Sequence, residues 1–256
     1  MTRLVRAEFL KLRTTQVWFW LLLATIAISA LVVVGQMAGS GSSIRTPGDV
    51  PQLWSGFAQT PGYILVFVLG VLGVTTEFRY QTITPTVLTT PSRWTIVTAK
   101  MITYALTGVA FAVVAVAVEF AVGLPWLASR DIAVHWGSGP VVHSIVGTLL
   151  VIALFGIVGL GFGALLRNQI VGVVVGIIFL LVLENILVAI PVVKHAWPYT
   201  PNGAVQAIVY TPGGGNSDTA NGVHLLPGWA GVIVLLLWAF VPAIVGAGYT
   251  MNRDIT

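Results

Sequence analysis

The sequence has 256 residues, of which 57% are hydrophobic and only 8% are charged. A soluble domain carries about 25% charged residues because its surface faces water, so this composition excludes an ordinary soluble domain and indicates an integral membrane protein. The net charge is +4, but the 12 lysines and arginines stand at the ends of apolar segments, which argues against nucleic-acid binding. The absence of cysteine excludes disulfides, thiol catalysis and thiolate metal sites.

The N-terminal segment Thr2–Arg13 is basic and partly apolar. Val5, Phe9 and Leu12 fall on one side of a helical wheel, with basic residues beside them. Such a helix can lie in the lipid headgroup region before the chain turns into the membrane. The alternative is a basic anchor that only fixes the topology.

Apolar stretches of about 18 or more residues predict membrane-spanning helices. The second stretch is the weakest, because Gln59, Thr60 and Pro61 interrupt it. Six spans are predicted: Val17–Gly35, Ser55–Thr75, Ile96–Gly123, Val142–Leu166, Ile170–Pro191 and Pro227–Thr250.

The fourth and fifth spans are separated only by residues 167–169, which predicts a tight hairpin. Each of these spans carries a Gly-x-x-x-Gly pair, and small residues one turn apart allow helix backbones to approach closely. The pairs are Gly159 with Gly163 and Gly172 with Gly176. We expect them to pack the two helices against each other, with a dimer interface as the alternative.

The basic residues predict the orientation, because cytoplasmic loops are enriched in lysine and arginine. A cytoplasmic N-terminus places nine of the 12 basic residues inside and three outside, namely Arg45, Arg130 and Lys194. Both termini are therefore predicted to be cytoplasmic.

Two carboxylates fall within predicted spans. Glu119 is about one turn from the outer end of the third span, where an interfacial, snorkelling position is expected. Glu184 is deeper and adjoins Asn185. A functional role is considered for Glu119, Glu184 and Asn185, such as lining a substrate path or pairing at a dimer interface.

The connection Thr76–Thr95 is the one sizeable cytoplasmic loop in this topology. Thr84-Pro85 is typical of a helix start and Thr90-Pro91 of a stop. A helix of one to two turns between them would expose Val87 and Leu88, which suits docking into a groove on a soluble partner.

The sequence predicts no catalytic machinery. It contains no P-loop, no His-Glu-x-x-His motif and no metal-ligand spacing among its four histidines. The outer loop Val192–Leu226 is rich in glycine, proline, asparagine and threonine, and we expect it to be flexible. No cofactor is expected to bind directly.

Two segments together resemble ABC-2 type ABC transporter permeases, especially the actinobacterial ones. The first is Arg6-Ala7-Glu8-Phe9-Leu10-Lys11-Leu12-Arg13 before the first span. The second is Glu77-Phe78-Arg79-Tyr80-Gln81-Thr82-Ile83, followed by Leu88, Pro91, Arg93 and Lys100.

This resemblance implies an all-α polytopic protein in the bacterial cytoplasmic membrane, with one permease domain over residues 1–256. It implies an N-terminal elbow helix that includes Arg6, Glu8, Phe9, Lys11 and Arg13. It also implies a coupling helix that contacts a separate ABC ATPase, through Glu77, Arg79, Thr82, Val87, Leu88 and Arg93.

The resemblance further implies that the ATPase subunit binds ATP and magnesium and drives export. Two permeases, either identical or paralogous, would form the translocation path within the lipid bilayer. The rival hypothesis is a proton-coupled secondary transporter that uses Glu119 or Glu184 as a relay, although no internal repeat supports it. A third hypothesis is a membrane anchor or assembly factor.

Overall fold

The computed structural model describes residues 2–38, 44–60, 62–80, 93–210 and 219–251, and for residues 93–94 and 247–251 the backbone alone. The described chain is mainly helical. Its helices are α1 (Thr2–Thr14), α2 (Val17–Ala38), α3 (Val50–Leu53), α4 (Gly56–Gln59), α5 (Tyr63–Arg79), α6 (Arg93–Ser129), α7 (Gly139–Leu166), α8 (Gln169–Ile178), α9 (Glu184–Ala189), α10 (Pro201–Val209) and α11 (Gly228–Met251).

Shorter elements complete the described chain. A π-helical turn joins α8 to α9 without a break, and a 3-10 helix precedes each of α3 and α10. Strands β1 and β2 form an antiparallel hairpin before α11. These elements are Phe179–Leu183, Pro47–Asp49, Lys194–Tyr199, Thr219–Ala220 and Val223–His224.

The long helices alternate in direction. Glu77, near the end of α5, bonds to Lys100, near the start of α6. Tyr63, at the start of α5, bonds to Asn202 beyond α9. The bundle therefore has one end that carries α1, called here the α1 end, and an opposite end.

Five of the described helical runs are long and apolar enough to cross a membrane: α2, α6, α7, the run Gln169–Ala189 and α11. Helix α5 has 17 residues, or about 25 Å at 1.5 Å per residue, which is at the short end of the range for a span. The predicted count of six therefore depends on α5 and stays a prediction.

Helix α5 lies further along the chain than the predicted second span, Ser55–Thr75. Thr60 has extended backbone angles (φ −94°, ψ 168°) at the end of α4, as the steric effect of a following proline favours. At the other end, Thr75 and Thr76 donate hydrogen bonds to carbonyl groups one turn back. Because these hydroxyl groups are satisfied within the helix, α5 continues to Arg79.

Helix α7 is the centre of the bundle, and all its residues from Val151 to Gly163 are buried. Helices α5, α6 and α11 pack around it. Glycine makes the α5 contact possible. A Cβ on Gly70 would lie 2.2 Å from Gly156 O, and one on Gly159 would lie 2.1 Å from Phe67 O.

The two glycine pairs do not pack α7 and α8 against each other, as the sequence led us to expect. Gly159 and Gly163 face the backbone of α5 at Phe67 and Val71, and Gly172 and Gly176 face the side chains of Val71 and Phe67. Both pairs thus create room for α5, which lies against both helices.

The turn between α7 and α8 is tight. Arg167 has left-handed backbone angles (φ 51°, ψ 0°). Asn168 then caps α8, because its Oδ1 accepts hydrogen bonds from the backbone N–H groups of Ile170 and Val171 at 3.0 and 3.1 Å.

The described part of the predicted flexible loop Val192–Leu226 is largely ordered secondary structure. Helix α10 is capped by Thr200, which accepts a hydrogen bond from the backbone N–H of Gly203. Seven of the nine residues of α10 are buried. Its apolar residues pack against α11 and α7, so the expectation of a flexible loop is wrong for this part.

Candidate functional site

Four charged side chains meet at the α1 end of the bundle, and we call them the ion-pair cluster: Glu8, Lys11, Glu77 and Lys100. Lys100 Nζ lies 2.6 Å from Glu8 Oε2 and 2.8 Å from Glu77 Oε1. Lys11 Nζ lies 2.7 Å from Glu8 Oε1 and 2.7 Å from Glu77 Oε1. Each lysine therefore contacts both carboxylates, and the cluster as a whole is neutral.

The cluster is deeply placed. The exposed fraction of Glu8, Glu77 and Lys100 is 6% each, whereas the Lys11 side chain is 46% exposed. The third donor of the Lys100 ammonium group goes to Gly73 O at 3.2 Å, so this buried cation has a partner for every N–H. Buried charges persist only when they are paired in this way, because an unpaired charge in a low-dielectric interior is very costly.

Three helices supply these side chains. Helix α1 turns Glu8 and Leu12, one turn apart, toward the bundle, and it packs on α6. Gly73 permits the close approach of α5 and α6, because a Cβ there would lie 2.1 Å from Tyr104 Cζ. The cluster consequently joins the end of α5, the start of α6 and the N-terminal helix.

The electrostatics favour the charged forms of both residues on α1. Burial by itself raises the pKa of Glu8, but the adjacent Lys100 and Lys11 outweigh it and hold that pKa below its ordinary value of 4.5. Burial by itself lowers the pKa of Lys11, but hydrogen bonds to Glu77 and Glu8 outweigh it and raise that pKa above 10.5. Glu8 and Lys11 are therefore both charged across the neutral pH range.

The structure brings together residues from both segments that carry the resemblance. Glu8 and Lys11 come from the predicted elbow helix, and Glu77 was expected to contact a partner. Its carboxylate instead faces the two lysines. Lys100 was named as part of the second segment, but no contact was predicted for it, although a lysine within a predicted span signals a buried anionic partner.

The other residues predicted to contact an ATPase lie near the cluster or outside the residues that the structure fully describes. Arg79 is exposed and donates a hydrogen bond from Nη1 to Gln169 Oε1 at 3.1 Å. Thr82, Val87 and Leu88, and with them the predicted coupling helix, lie outside the described residues, and Arg93 is described by its backbone alone.

On α1, the remaining elbow residues do not enter the cluster. Arg6 and Arg13 are exposed and Phe9 is half-buried. Helix α1 spans Thr2–Thr14, one residue beyond the predicted end, and its orientation relative to a bilayer stays a prediction.

Glu119 does not snorkel to an interface. It is fully buried, and its Oε1 accepts a hydrogen bond at 2.8 Å from the backbone N–H of Phe57, in the short helix α4. The expectation failed because residues 44–60 fold back over this part of α6 and cover the carboxylate.

Glu184 is also buried, at the opposite end of the bundle from the cluster. Its Oε2 accepts hydrogen bonds from Thr200 Oγ1 at 2.6 Å and from the backbone N–H of Asn202 at 2.9 Å. The carboxylate therefore stands at the N-terminus of α10, where a helix favours negative charge. Tyr63, at the start of α5, bonds to the Asn202 side chain. Helix α5 thus runs from the ion-pair cluster to the Glu184 site.

The family comparison adds a second line of evidence. A family model for ABC-2 family transporter proteins matches residues 4–183, or about 70% of the chain. This chain belongs to the ABC-2 transporter family. The match begins in α1 and ends at Leu183, so it contains the whole ion-pair cluster and Glu119. No curated protein matches the chain significantly.

Membership confirms the resemblance drawn from the two segments. ABC-2 family proteins are the membrane components of ABC transporters, and the five apolar helical runs fit that role. Among the described residues, no group of three or more histidine, aspartate or glutamate side chains could hold a metal ion.

Proposed function

We propose that this chain is the permease subunit of a bacterial ABC exporter, with a single six-span domain in the cytoplasmic membrane and both termini in the cytoplasm. The α1 end of the bundle is then cytoplasmic. A separate ATPase subunit supplies ATP binding and hydrolysis, and two permeases enclose the translocation path. Family membership and the alternating directions of the long helices support this assignment.

The observation that carries the proposal is the position of the ion-pair cluster. Residues 81–92 connect the end of α5 to the start of α6. Glu77 and Lys100, which hold these two helix ends together, also bind Glu8 and Lys11 of α1. A force applied to this loop would therefore act on α1, α5 and α6 together.

Helix α5 gives this force a route across the membrane. One end of the helix carries Glu77, and the other carries Tyr63, which is bonded to Asn202 beside Glu184. Displacement of the loop by the ATPase would move α5 against α7, and with it the start of α10 at the opposite end of the bundle. Arg79, Thr82, Val87, Leu88 and Arg93 are the proposed ATPase contacts, and Glu77 anchors them.

Capture of the ATPase tests the proposal. Leu88→Asp is expected to reduce co-purification of the ATPase by tenfold or more, because loss of a buried apolar anchor commonly costs about 2 kcal/mol. Leu88→Met is the matched control, since it keeps an apolar side chain of similar size. Equal capture by both variants, with normal membrane insertion, would exclude this loop as the contact.

A further inference from the structure

Glu119 is a buried carboxyl group with few hydrogen bonds. Its side chain is fully buried, and Oε1 accepts one hydrogen bond, from the backbone N–H of Phe57. Within the described part of the chain, Oε2 has no hydrogen-bond partner. Glu184 differs, because it accepts two hydrogen bonds, and the exposed Asn185 donates one to Leu181 O at 2.6 Å. One oxygen of Glu119 therefore lies in the protein interior unsatisfied.

A second unsatisfied oxygen lies close to Glu119. Gln36, in the last turn of α2, has a buried Oε1 that also lacks a hydrogen-bond partner among the described residues. Gly56 makes room for both side chains, because a Cβ there would lie 2.7 Å from Gln36 Nε2 and 3.4 Å from Glu119 Oε1. The amide and the carboxyl group thus flank the same glycine, and each has an oxygen that needs a donor.

Glu119 has no cationic partner in the described ranges. Helix α2 contains no titratable side chain, and α6 contains no other between Tyr104 and Ser129. The titratable groups of the neighbouring elements are directed elsewhere: Arg45 is exposed, Asp49 bonds to Thr46, His143 to Ile208 O and Tyr63 to Asn202. A buried charge without a counter-ion is very costly, so such a group binds a proton instead.

A single proton would satisfy both oxygens. A protonated carboxyl group has one O–H donor and keeps its acceptor capacity at the other oxygen. With the proton on Oε2, Glu119 donates to Gln36 Oε1 while its Oε1 keeps the hydrogen bond from Phe57. An ionised Glu119 would instead leave two acceptors near each other without a donor. The pattern of donors and acceptors therefore fits the neutral acid.

We propose that Glu119 is a proton-binding site, in which the proton on Oε2 is donated to Gln36 Oε1. Residues 44–60, called here the cover segment, lie over this part of α6, and the bound proton joins them to α2 and α6. The proton is retained in the folded protein, whereas a relay in a secondary transporter would release it in each cycle. The inference goes beyond the proposed function and does not depend on an ATPase.

Infrared spectroscopy of the purified protein in lipid detects this proton directly, because protonated and ionised carboxyl groups have different stretching bands. The spectrum of the wild type minus that of Glu119→Gln at neutral pH should contain the band of a protonated carboxyl group. Glu8→Gln is the control, since Glu8 is paired with two lysines, and its difference spectrum should contain an ionised band only. A Glu119→Gln difference spectrum without the protonated band would overturn the proposal.

Cysteine labelling measures the hold on the cover segment. Val50→Cys lies in this segment at a fully buried position, and the chain has no other cysteine. A carboxyl group that is protonated when covered and ionised when uncovered binds a proton on closing, so rising pH favours opening. The rate of reaction with a water-soluble maleimide, divided by the rate in the Glu119→Gln background at the same pH, should rise at least tenfold from about pH 5 to about pH 8.

This ratio cancels the pH dependence of the thiol itself, because both proteins carry the same cysteine. A ratio that stays constant over the range would overturn the proposal. Glu119→Gln is an isosteric mimic of the neutral acid, since its amide can donate to Gln36 and accept from Phe57. The rate in the Glu119→Gln background should therefore show only the pH dependence of the thiol.

The acceptor is tested separately. Gln36→Met keeps the length of the side chain but removes the amide oxygen, so Val50→Cys should react about threefold faster or more at neutral pH. Leu31→Met, at a 69% exposed position on the same helix, is the control and should leave the rate unchanged. Equal rates in the two variants would exclude Gln36 as the acceptor. None of these measurements involves ATPase capture, so this proposal and the proposed function can fail independently.

Discussion

Lys100 Nζ lies 2.6 Å from Glu8 Oε2, and this ion pair fastens the start of α6 to α1 across 92 positions of sequence. The same ammonium group holds Glu77 at the end of α5. One buried lysine therefore connects α1, α5 and α6 at the α1 end of the bundle.

Removal of Lys100 should destabilise the protein strongly. Lys100→Met leaves two buried carboxylates with a single, half-exposed cation, and breaking a buried pair typically costs about 3–5 kcal/mol. Lys11→Met is the control, since loss of an exposed ion-pair partner costs about 1 kcal/mol or less. Thermal unfolding in detergent measures both, and equal losses of stability would show that burial of Lys100 is irrelevant.

The docking of α1 should depend on pH only near the acid and alkaline limits. Because folding lowers the pKa of Glu8, its charged carboxylate stabilises the folded state at pH values above the ordinary pKa of 4.5. This contribution is lost as the pH falls through the depressed pKa. Because folding raises the pKa of Lys11, its charged ammonium group stabilises the folded state at pH values below the ordinary pKa of 10.5. This contribution is lost as the pH rises through the elevated pKa.

A spin label at Leu10→Cys, an exposed position on α1, measures this docking. We expect constant mobility from about pH 5 to pH 10 and release of α1 in acid. Glu8→Gln should increase mobility at neutral pH as well. A transition between pH 6 and pH 8 would contradict the assignment of the cluster.

The crossing of α5 and α7 should tolerate no side chain at Gly159. A Cβ there would lie 2.1 Å from Phe67 O, so Gly159→Ala must push the helices apart at a cost of about 1–3 kcal/mol. Gly35→Ala is the control, because no atom lies within 4 Å of its added Cβ and alanine favours a helix over glycine. The melting temperature should fall for the first variant and stay level or rise for the second.

Glu184 should hold α10 in place. Glu184→Leu removes the acceptor for Thr200 and for the Asn202 backbone, and we expect local opening to become at least about tenfold more frequent. Trypsin added from outside, acting at Lys194, reports this opening as faster cleavage. Leu181→Ala, on the exposed face of the same helical run, is the control and should be cleaved at the wild-type rate. Cleavage of Glu184→Leu at the wild-type rate would show that the Glu184 carboxylate does not hold α10 in place.

Labelling of single cysteines decides whether α5 crosses the membrane. Tyr80→Cys should react only with reagents that reach the cytoplasm, because Tyr80 is 68% exposed directly after α5. Arg130→Cys and His224→Cys should react from outside. Labelling of Tyr80→Cys from outside would refute the six-span topology.

The sequence alone determined the features that depend on local physics. An apolar stretch such as residues 142–166 must form a helix, because its backbone groups find no partners in hydrocarbon. Arg167 and Asn168 produce a turn through backbone conformation and capping within a few residues. The N-terminal helix and the two segments that revealed the family were readable for the same reason, since each is a continuous pattern.

Only the tertiary structure decided which distant groups meet. The charges of Glu8, Glu77 and Lys100 are visible in the sequence, but their mutual contact depends on how α1, α5 and α6 pack. The same holds for the glycine pairs, which accommodate α5, and for Glu119, which residues 44–60 cover. A periodic pattern shows which face of a helix is apolar or small, whereas the partner of that face is selected by the fit of surfaces remote in sequence.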